Sequence, residues 1–95
     1  MTPRPLRGAF TATEEPLAVY WEGERIKLRP MGVRILIKLA SAEYVTRGEL
    51  MGKIKAGGTL RVHLVAVRRA LPPGVTIETE HGQGYKLHLP HGAGF

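Results

Sequence analysis

Cysteine and aspartate are both missing from this 95-residue chain. The lack of cysteine excludes disulfides and thiolate metal sites. No grouping of serine, histidine and glutamate suggests an activated nucleophile, so we predict that the protein is not an enzyme and uses no cofactor. His81, His88 and His91 do not predict a metal site, because a lone H-x-x-H that spans a strand end and the tail is too weak a pattern.

Long apolar runs are also missing. No segment approaches the roughly 18 apolar residues that cross a bilayer, and the N-terminus has no apolar stretch of signal-peptide length. With 43% hydrophobic and 23% charged residues, the composition is typical of a soluble globular domain. The length favours one domain over 1–95, with frayed ends at 1–5 and 91–95. We expect a cytoplasmic protein without a membrane partner.

Positive charge is the first feature that the sequence has in excess. Fourteen lysines and arginines against eight glutamates give a net charge of +6. Residues 47–89 hold seven basic and three acidic side chains, a net of +4, whereas residues 1–46 hold seven and five, a net of +2. Such an excess suits a polyanionic partner, because each phosphate contact releases condensed counterions. A basic surface that only keeps the protein in solution is the alternative interpretation.

The first half of the chain has the pattern of a small antiparallel sheet that leads into a helix. Residues 17–21 and 25–28 are rich in β-forming or alternating side chains and flank a turn at 22–24, with a further strand expected near 8–12. Pro30 suits the first turn of a helix, where its missing N–H costs nothing. Apolar side chains on two faces of the following segment predict a mostly buried helix.

Two more helices and a hairpin follow. Thr46 and Glu49 match the capping box of a short second helix, and Thr59 is a good N-cap for a third helix that ends before 72–74. Strict alternation in 75–79 and 85–89, around a glycine-rich turn, predicts a β-hairpin. This order predicts an α+β fold of the winged helix-turn-helix type: an N-terminal antiparallel sheet, three helices and a C-terminal β-hairpin wing.

The third helix has the cleanest pattern. At 100° per residue, Leu60, Leu64, Val67 and Leu71 fall within roughly 60° and form the core face. The opposite side and its flanks carry Arg61, Val62, Val65, Ala66 and Arg69, with Thr59 and His63 to one side. Arginines can reach phosphates or guanine edges, while small apolar side chains can contact thymine methyl groups. An apolar trio exposed among arginines favours a DNA-binding face over a merely solvated one.

Four segments, in order and in register, are similar to motifs of one family. Residues 62–71 (VHLVAVRRAL) resemble V-H-I-x-x-L-R-x-x-L, and residues 77–87 (IETEHGQGYKL) resemble I-x-T-V-R-G-x-G-Y-R-F. Residues 45–50 (VTRGEL) and 28–30 (LRP) resemble V-x-S-R-x-x-L and L-T-P. From about residue 17 to 89, the chain therefore resembles the effector domain of OmpR/PhoB-type response regulators.

The resemblance implies sequence-specific binding to double-stranded DNA, with the wing in the minor groove and monomers that pair on tandem half-sites. It implies phosphate contacts for Arg47, His63, Arg68 and Tyr85. It places Thr59, Val62, Val65 and Ala66 at the major groove, and Thr79 and His81 on the wing, where we also expect Lys86 to contribute. We therefore expect a nucleoid-associated regulator that lacks the receiver domain of the family.

The sequence also departs from the family pattern. Val65 and Ala66 replace polar readers, Arg61 stands at an often acidic position, and His81 replaces a wing arginine, which makes that contact weaker and pH-sensitive. The loop at 55–58, where activators of the family contact RNA polymerase, is short, so we predict a repressor or architectural role. The alternative is a winged-helix protein-interaction module that docks on RNA polymerase or another regulator through Val62, Val65 and Ala66.

Overall fold

A computed structural model of the chain describes residues 3–51, 60–80 and 84–89. Within them the protein is a small α+β domain with three helices and two antiparallel sheets, which confirms the predicted α+β class. The helices are α1 (Pro30–Ser41), α2 (Arg47–Met51) and α3 (Leu60–Ala70). The strands are β1 (Arg4–Pro5), β2 (Phe10–Glu14), β3 (Leu17–Trp21), β4 (Glu24–Arg25), β5 (Val45–Thr46), β6 (Thr76–Glu80) and β7 (Gly84–His88).

The first sheet joins four strands in the order β1-β2-β3-β4. The predicted hairpin is present, and its two-residue turn holds Glu22 at φ 51° and Gly23 at φ 84°, the two positive values that a tight hairpin requires. β4 is shorter than the predicted 25–28. Where we expected a frayed terminus at 1–5, Arg4 and Pro5 pair with Ala12 and Thr11 of β2.

Helix α1 begins at Pro30, as predicted. Ile35, Leu36 and Leu39 are fully buried because the helix contacts the first sheet on one side and α3 and β7 on others. Ile37, in contrast, is only partly buried. The helix therefore buries two faces, and together with strands from both sheets it encloses the core of the domain.

The second sheet has the order β5-β7-β6 and contains the predicted C-terminal hairpin, β6–β7. Strand β5 was not predicted: Val45 and Thr46 pair with Tyr85 and Gly84, and two residues are too short to show alternation. Thr46 also caps α2, since its Oγ1 accepts a hydrogen bond of 3.1 Å from the Glu49 amide. This is the first half of the predicted capping box. The Glu49 carboxylate lies 3.8 Å from Lys38 Nζ on α1.

Arg7 joins the two sheets. Its Nη1 donates to the Ala42 carbonyl at 3.1 Å and to the Leu87 carbonyl at 3.3 Å, and its backbone amide donates to the Ala40 carbonyl at 2.9 Å. Carbonyls at the end of a helix have no partner within the helix, and a cation there is favourable. One arginine thus closes the end of α1 and holds β7 beside it.

Two glycines with positive φ give the first testable prediction. Gly8 has φ +62°, and a Cβ at this position would lie 2.7 Å from Leu89 Cδ1, whereas Gly23 has φ +84° and nothing within 4 Å. Both alanine variants are strained, but only Gly8→Ala must also displace Leu89. We expect losses in unfolding free energy of about 2 kcal/mol for Gly8→Ala and about 1 kcal/mol for Gly23→Ala, measured by urea denaturation. Equal losses would contradict the Leu89 contact.

Candidate nucleic-acid interface

Helix α3 presents an apolar face to solvent. Leu60, Leu64 and Val67 are buried, which confirms the core stripe predicted from periodicity, although Leu71 lies beyond the helix and is only partly buried. On the other side Val62 is 64% exposed and Val65 is 42% exposed. The remaining exposed side chains of the helix are Arg61, Ala66, Arg68 and Arg69, and His63 is intermediate.

A cleft of about 300 Å³ opens beside this face, where α2, α3 and the C-terminal hairpin meet. Of the described residues that line it, three are arginines and none carries a carboxylate; they are Arg47, Arg61, Leu64, Val65, Arg68, Thr79 and Tyr85. Positive charges that converge on a concave surface reinforce one another's field. The cleft therefore has the charge and the hydrogen-bond donors to hold an anion.

Arg47 and Arg61 reach the cleft from the first turns of two helices. Arg47 is the first residue of α2, and Arg61 is the second residue of α3. Both side chains are exposed. Among residues 3–51, 60–80 and 84–89, neither side chain has a hydrogen bond or an ion pair. Their guanidinium donors are thus available to an external acceptor, and a planar guanidinium can bind a phosphate with two parallel bonds.

Arg68 is held differently from the other two arginines. Its Nη2 donates to the Ile77 carbonyl at 3.3 Å and to Thr79 Oγ1 at 3.4 Å. Both acceptors belong to β6, so the side chain links the last turns of α3 to the hairpin. The sequence assigned Arg68 to a phosphate, and its position as a link within the domain was not predicted.

The two faces of the hairpin separate the predicted site residues. Thr79 lies opposite Tyr85 in the register, and both line the cleft. Because side chains alternate along a strand, Lys86 lies on the other face, opposite Glu78. On that face His88 Nε2 is 3.3 Å from Glu78 Oε2. Lys86 therefore does not join the cleft, and a neighbouring carboxylate reduces its positive field.

Several predictions lie outside the described residues. These are the N-cap at Thr59, the wing residue His81 and the short loop at 55–58. Conversely, Tyr44 was not singled out from the sequence: it is 44% exposed, and its ring occupies the space that a side chain at position 84 would need. A lone tyrosine outside any motif gives no signal, because its partner, Gly84, is distant in the chain.

Metal and membrane sites find no support in the part of the chain that the structure describes. No group of three or more histidines or glutamates there could hold a metal ion. None of the helices in the same residues is long and apolar enough to span a bilayer.

Compared with protein-family models and with the sequences of curated proteins, the chain matches none of them. What the protein binds must therefore be inferred from the chemistry of its own residues. The arginine-lined cleft and the exposed apolar face of α3 are adjacent, since Val65 belongs to both. Together they form the candidate interface.

Proposed function

We propose that this protein is a winged helix-turn-helix domain that binds double-stranded DNA sequence-specifically and regulates transcription. In this proposal α2 and α3 are the helix-turn-helix, and the hairpin β6–β7 is the wing. The observation that carries it is the cleft beside the exposed face of α3, whose described lining residues include three arginines and no carboxylate. The similarity of four segments to the OmpR/PhoB-type effector domain supports the same function.

The side chains of the interface suit two separate tasks, which are to position the protein on the DNA backbone and to recognise the bases. Arg47 and Arg61 would hold phosphates of the DNA backbone, which fixes the register of the protein on the duplex. α3 would enter the major groove, where Val62, Val65 and Ala66 can contact thymine methyl groups but can form no hydrogen bonds to bases through their side chains. We therefore expect a preference for sites with thymine at the positions that face this apolar trio.

A repressor or architectural role remains our proposal for the outcome of binding. It rests on the shortness of the sequence between α2 and α3, at 55–58, compared with the family pattern. A monomer in solution that pairs on tandem half-sites fits the same proposal. RNA polymerase would then be a minor partner or none, since the segment that contacts it in activators is reduced.

The second candidate function is docking on another protein, either RNA polymerase or a regulator. The exposed fractions of Val62 and Val65, 64% and 42%, favour it, because apolar surface of this kind is typical of protein interfaces. The arginines around the patch oppose it unless the partner is acidic. The two candidates differ in how their affinity responds to salt.

A duplex titration at several salt concentrations tests the proposal. Phosphate binding has a slope of about −0.9 per contact in a plot of log K against log salt, so the two contacts of Arg47 and Arg61 predict a loss of about 12-fold from about 50 to about 200 mM salt. Apolar docking on a protein would respond little. Selection from a random duplex pool should also enrich one motif. Salt-independent binding, or no enriched motif, would contradict sequence-specific DNA binding.

A further inference from the structure

We infer that Arg68 is a positioning residue, which fixes the C-terminal hairpin against α3, and that it does not serve as a phosphate ligand. The inference rests on the proposed function for its DNA consequences, but its structural part concerns the free protein. It replaces the role that sequence similarity implies for this residue. We call the pair of hydrogen bonds from Arg68 to β6 the Arg68 brace.

The brace crosses from a helix to a strand that the chain joins only through the turn at 71–75. Arg68 Nη2 has two hydrogens, and two acceptors lie near it: the Ile77 carbonyl at 3.3 Å and Thr79 Oγ1 at 3.4 Å. Hydrogen bonds from a charged donor are stronger than neutral ones. Because its Nη2 donates to two atoms of β6, the guanidinium of Arg68 has a defined orientation. The guanidinium groups of Arg47 and Arg61 have no hydrogen bond to the described residues that would orient them.

The brace also acts on an edge strand. In the described part of the second sheet β6 has β7 on one side and no strand on the other. Edge strands present backbone groups that lack a partner in the sheet. Arg68 supplies a donor to the Ile77 carbonyl, while Ile77 itself, only 8% exposed, is held in the core. Arg68 thus holds β6 at the backbone carbonyl of Ile77, the residue whose side chain is buried in the core.

The functional consequence follows from the two elements that the brace connects. If α3 reads one groove and the hairpin contacts the neighbouring one, both can bind at once only when their relative placement is correct. Contacts that hold α3 and the hairpin in place before binding reduce the conformational entropy that is lost when the protein binds. Arg68 therefore contributes to affinity through placement, and Arg47 and Arg61 contribute through charge.

The test combines Arg68→Lys, Thr79→Val and the double variant, each measured for thermal stability without DNA and for duplex binding across salt. Lysine keeps the positive charge and can still bind a phosphate as a point charge, but its Nζ lies one atom closer to the backbone than Arg68 Nη2, so we expect it to fall short of the two acceptors on β6. We expect each single change to lower Tm by about 2–5 °C. The double variant should lose little more than the larger single loss, because the hydrogen bond that Thr79→Val removes is one of the two that Arg68→Lys removes.

In duplex binding we expect Arg68→Lys to weaken affinity about fivefold with an unchanged salt slope. Arg34→Lys is the control for an arginine-to-lysine change at an exposed residue outside the candidate interface, and it should leave duplex affinity within about twofold of the parent. Additive Tm losses, or parental DNA affinity in Arg68→Lys, would overturn the inference. Coupled Tm losses in a protein that binds no DNA would leave the brace standing and contradict only the proposed function.

Discussion

Replacing Leu64 by alanine is expected to lower the free energy of unfolding by about 2–5 kcal/mol. Leu64 is 4% exposed and belongs to the core cluster. Truncation removes buried methyl groups and leaves a cavity that the neighbouring residues of α1 and α3 can fill only partly. In a domain of this size each kcal/mol corresponds to about 4–8 °C in Tm, so the melting temperature should fall by at least about 8 °C.

Val65→Ala is the matched control, one residue further along α3. Because Val65 is 42% exposed, its truncation should change the free energy of unfolding by no more than about 0.5 kcal/mol. Urea denaturation and thermal melting of the two variants check both values. If Val65→Ala proved the more damaging change, α3 would be rotated about its axis, and every residue assigned to the DNA-facing side would have to be reassigned.

The orientation of α3 could be predicted from sequence because it depends on a local periodicity. Leu60, Leu64 and Val67 recur at helical spacing, and a helix with one apolar stripe buries that stripe. The starts of α1 and α2 were predictable for a similar reason, since Pro30 and Thr46 act on backbone groups within a few residues of themselves. Features of this kind can be predicted because they depend only on residues that are close together in the sequence.

Features that depend on distant partners could not be predicted. Strand β5 exists because Val45 and Thr46 meet residues near position 85, and a two-residue strand has no pattern of its own. The hydrogen bonds of Arg68 depend on the turn at 71–75, which brings β6 back beside α3. Lys86 was expected beside the other wing contacts, but the register of the hairpin places it opposite Glu78.

Arginine content alone does not distinguish the candidate interface from the rest of the surface. A second cleft, of about 530 Å³ between the first sheet and α1, is also lined by two arginines, Arg4 and Arg34, and by Lys38. Glu14 and Glu15 line it as well, and these carboxylates offset much of the positive charge. The described residues that line the cleft beside α3 include no carboxylate, so this cleft is expected to attract a polyanion more strongly than the second one.

The second large effect is expected on duplex binding, when two arginines of the cleft beside α3 are replaced. Arg47→Gln combined with Arg61→Gln should weaken duplex binding about 100-fold, because each change removes a charge-assisted contact of about 1.5 kcal/mol. The salt slope should decrease by about 1.8, the value for two phosphate contacts. Arg4→Gln combined with Arg34→Gln removes the same net charge from the second cleft. It should cost no more than about threefold in affinity, because the lost charges act on DNA only through screened, long-range attraction.

Titration of both double variants and the parent against one duplex, at several salt concentrations, measures affinity and slope together. Circular dichroism should show parental melting for both, since all four arginines are exposed and exposed substitutions change stability little. Equal losses in the two double variants would mean that DNA responds to the total charge of the protein and not to the cleft. A parental slope in the Arg47 and Arg61 double variant would move the phosphate contacts elsewhere, and α3 would then have to bind its partner through the apolar face alone.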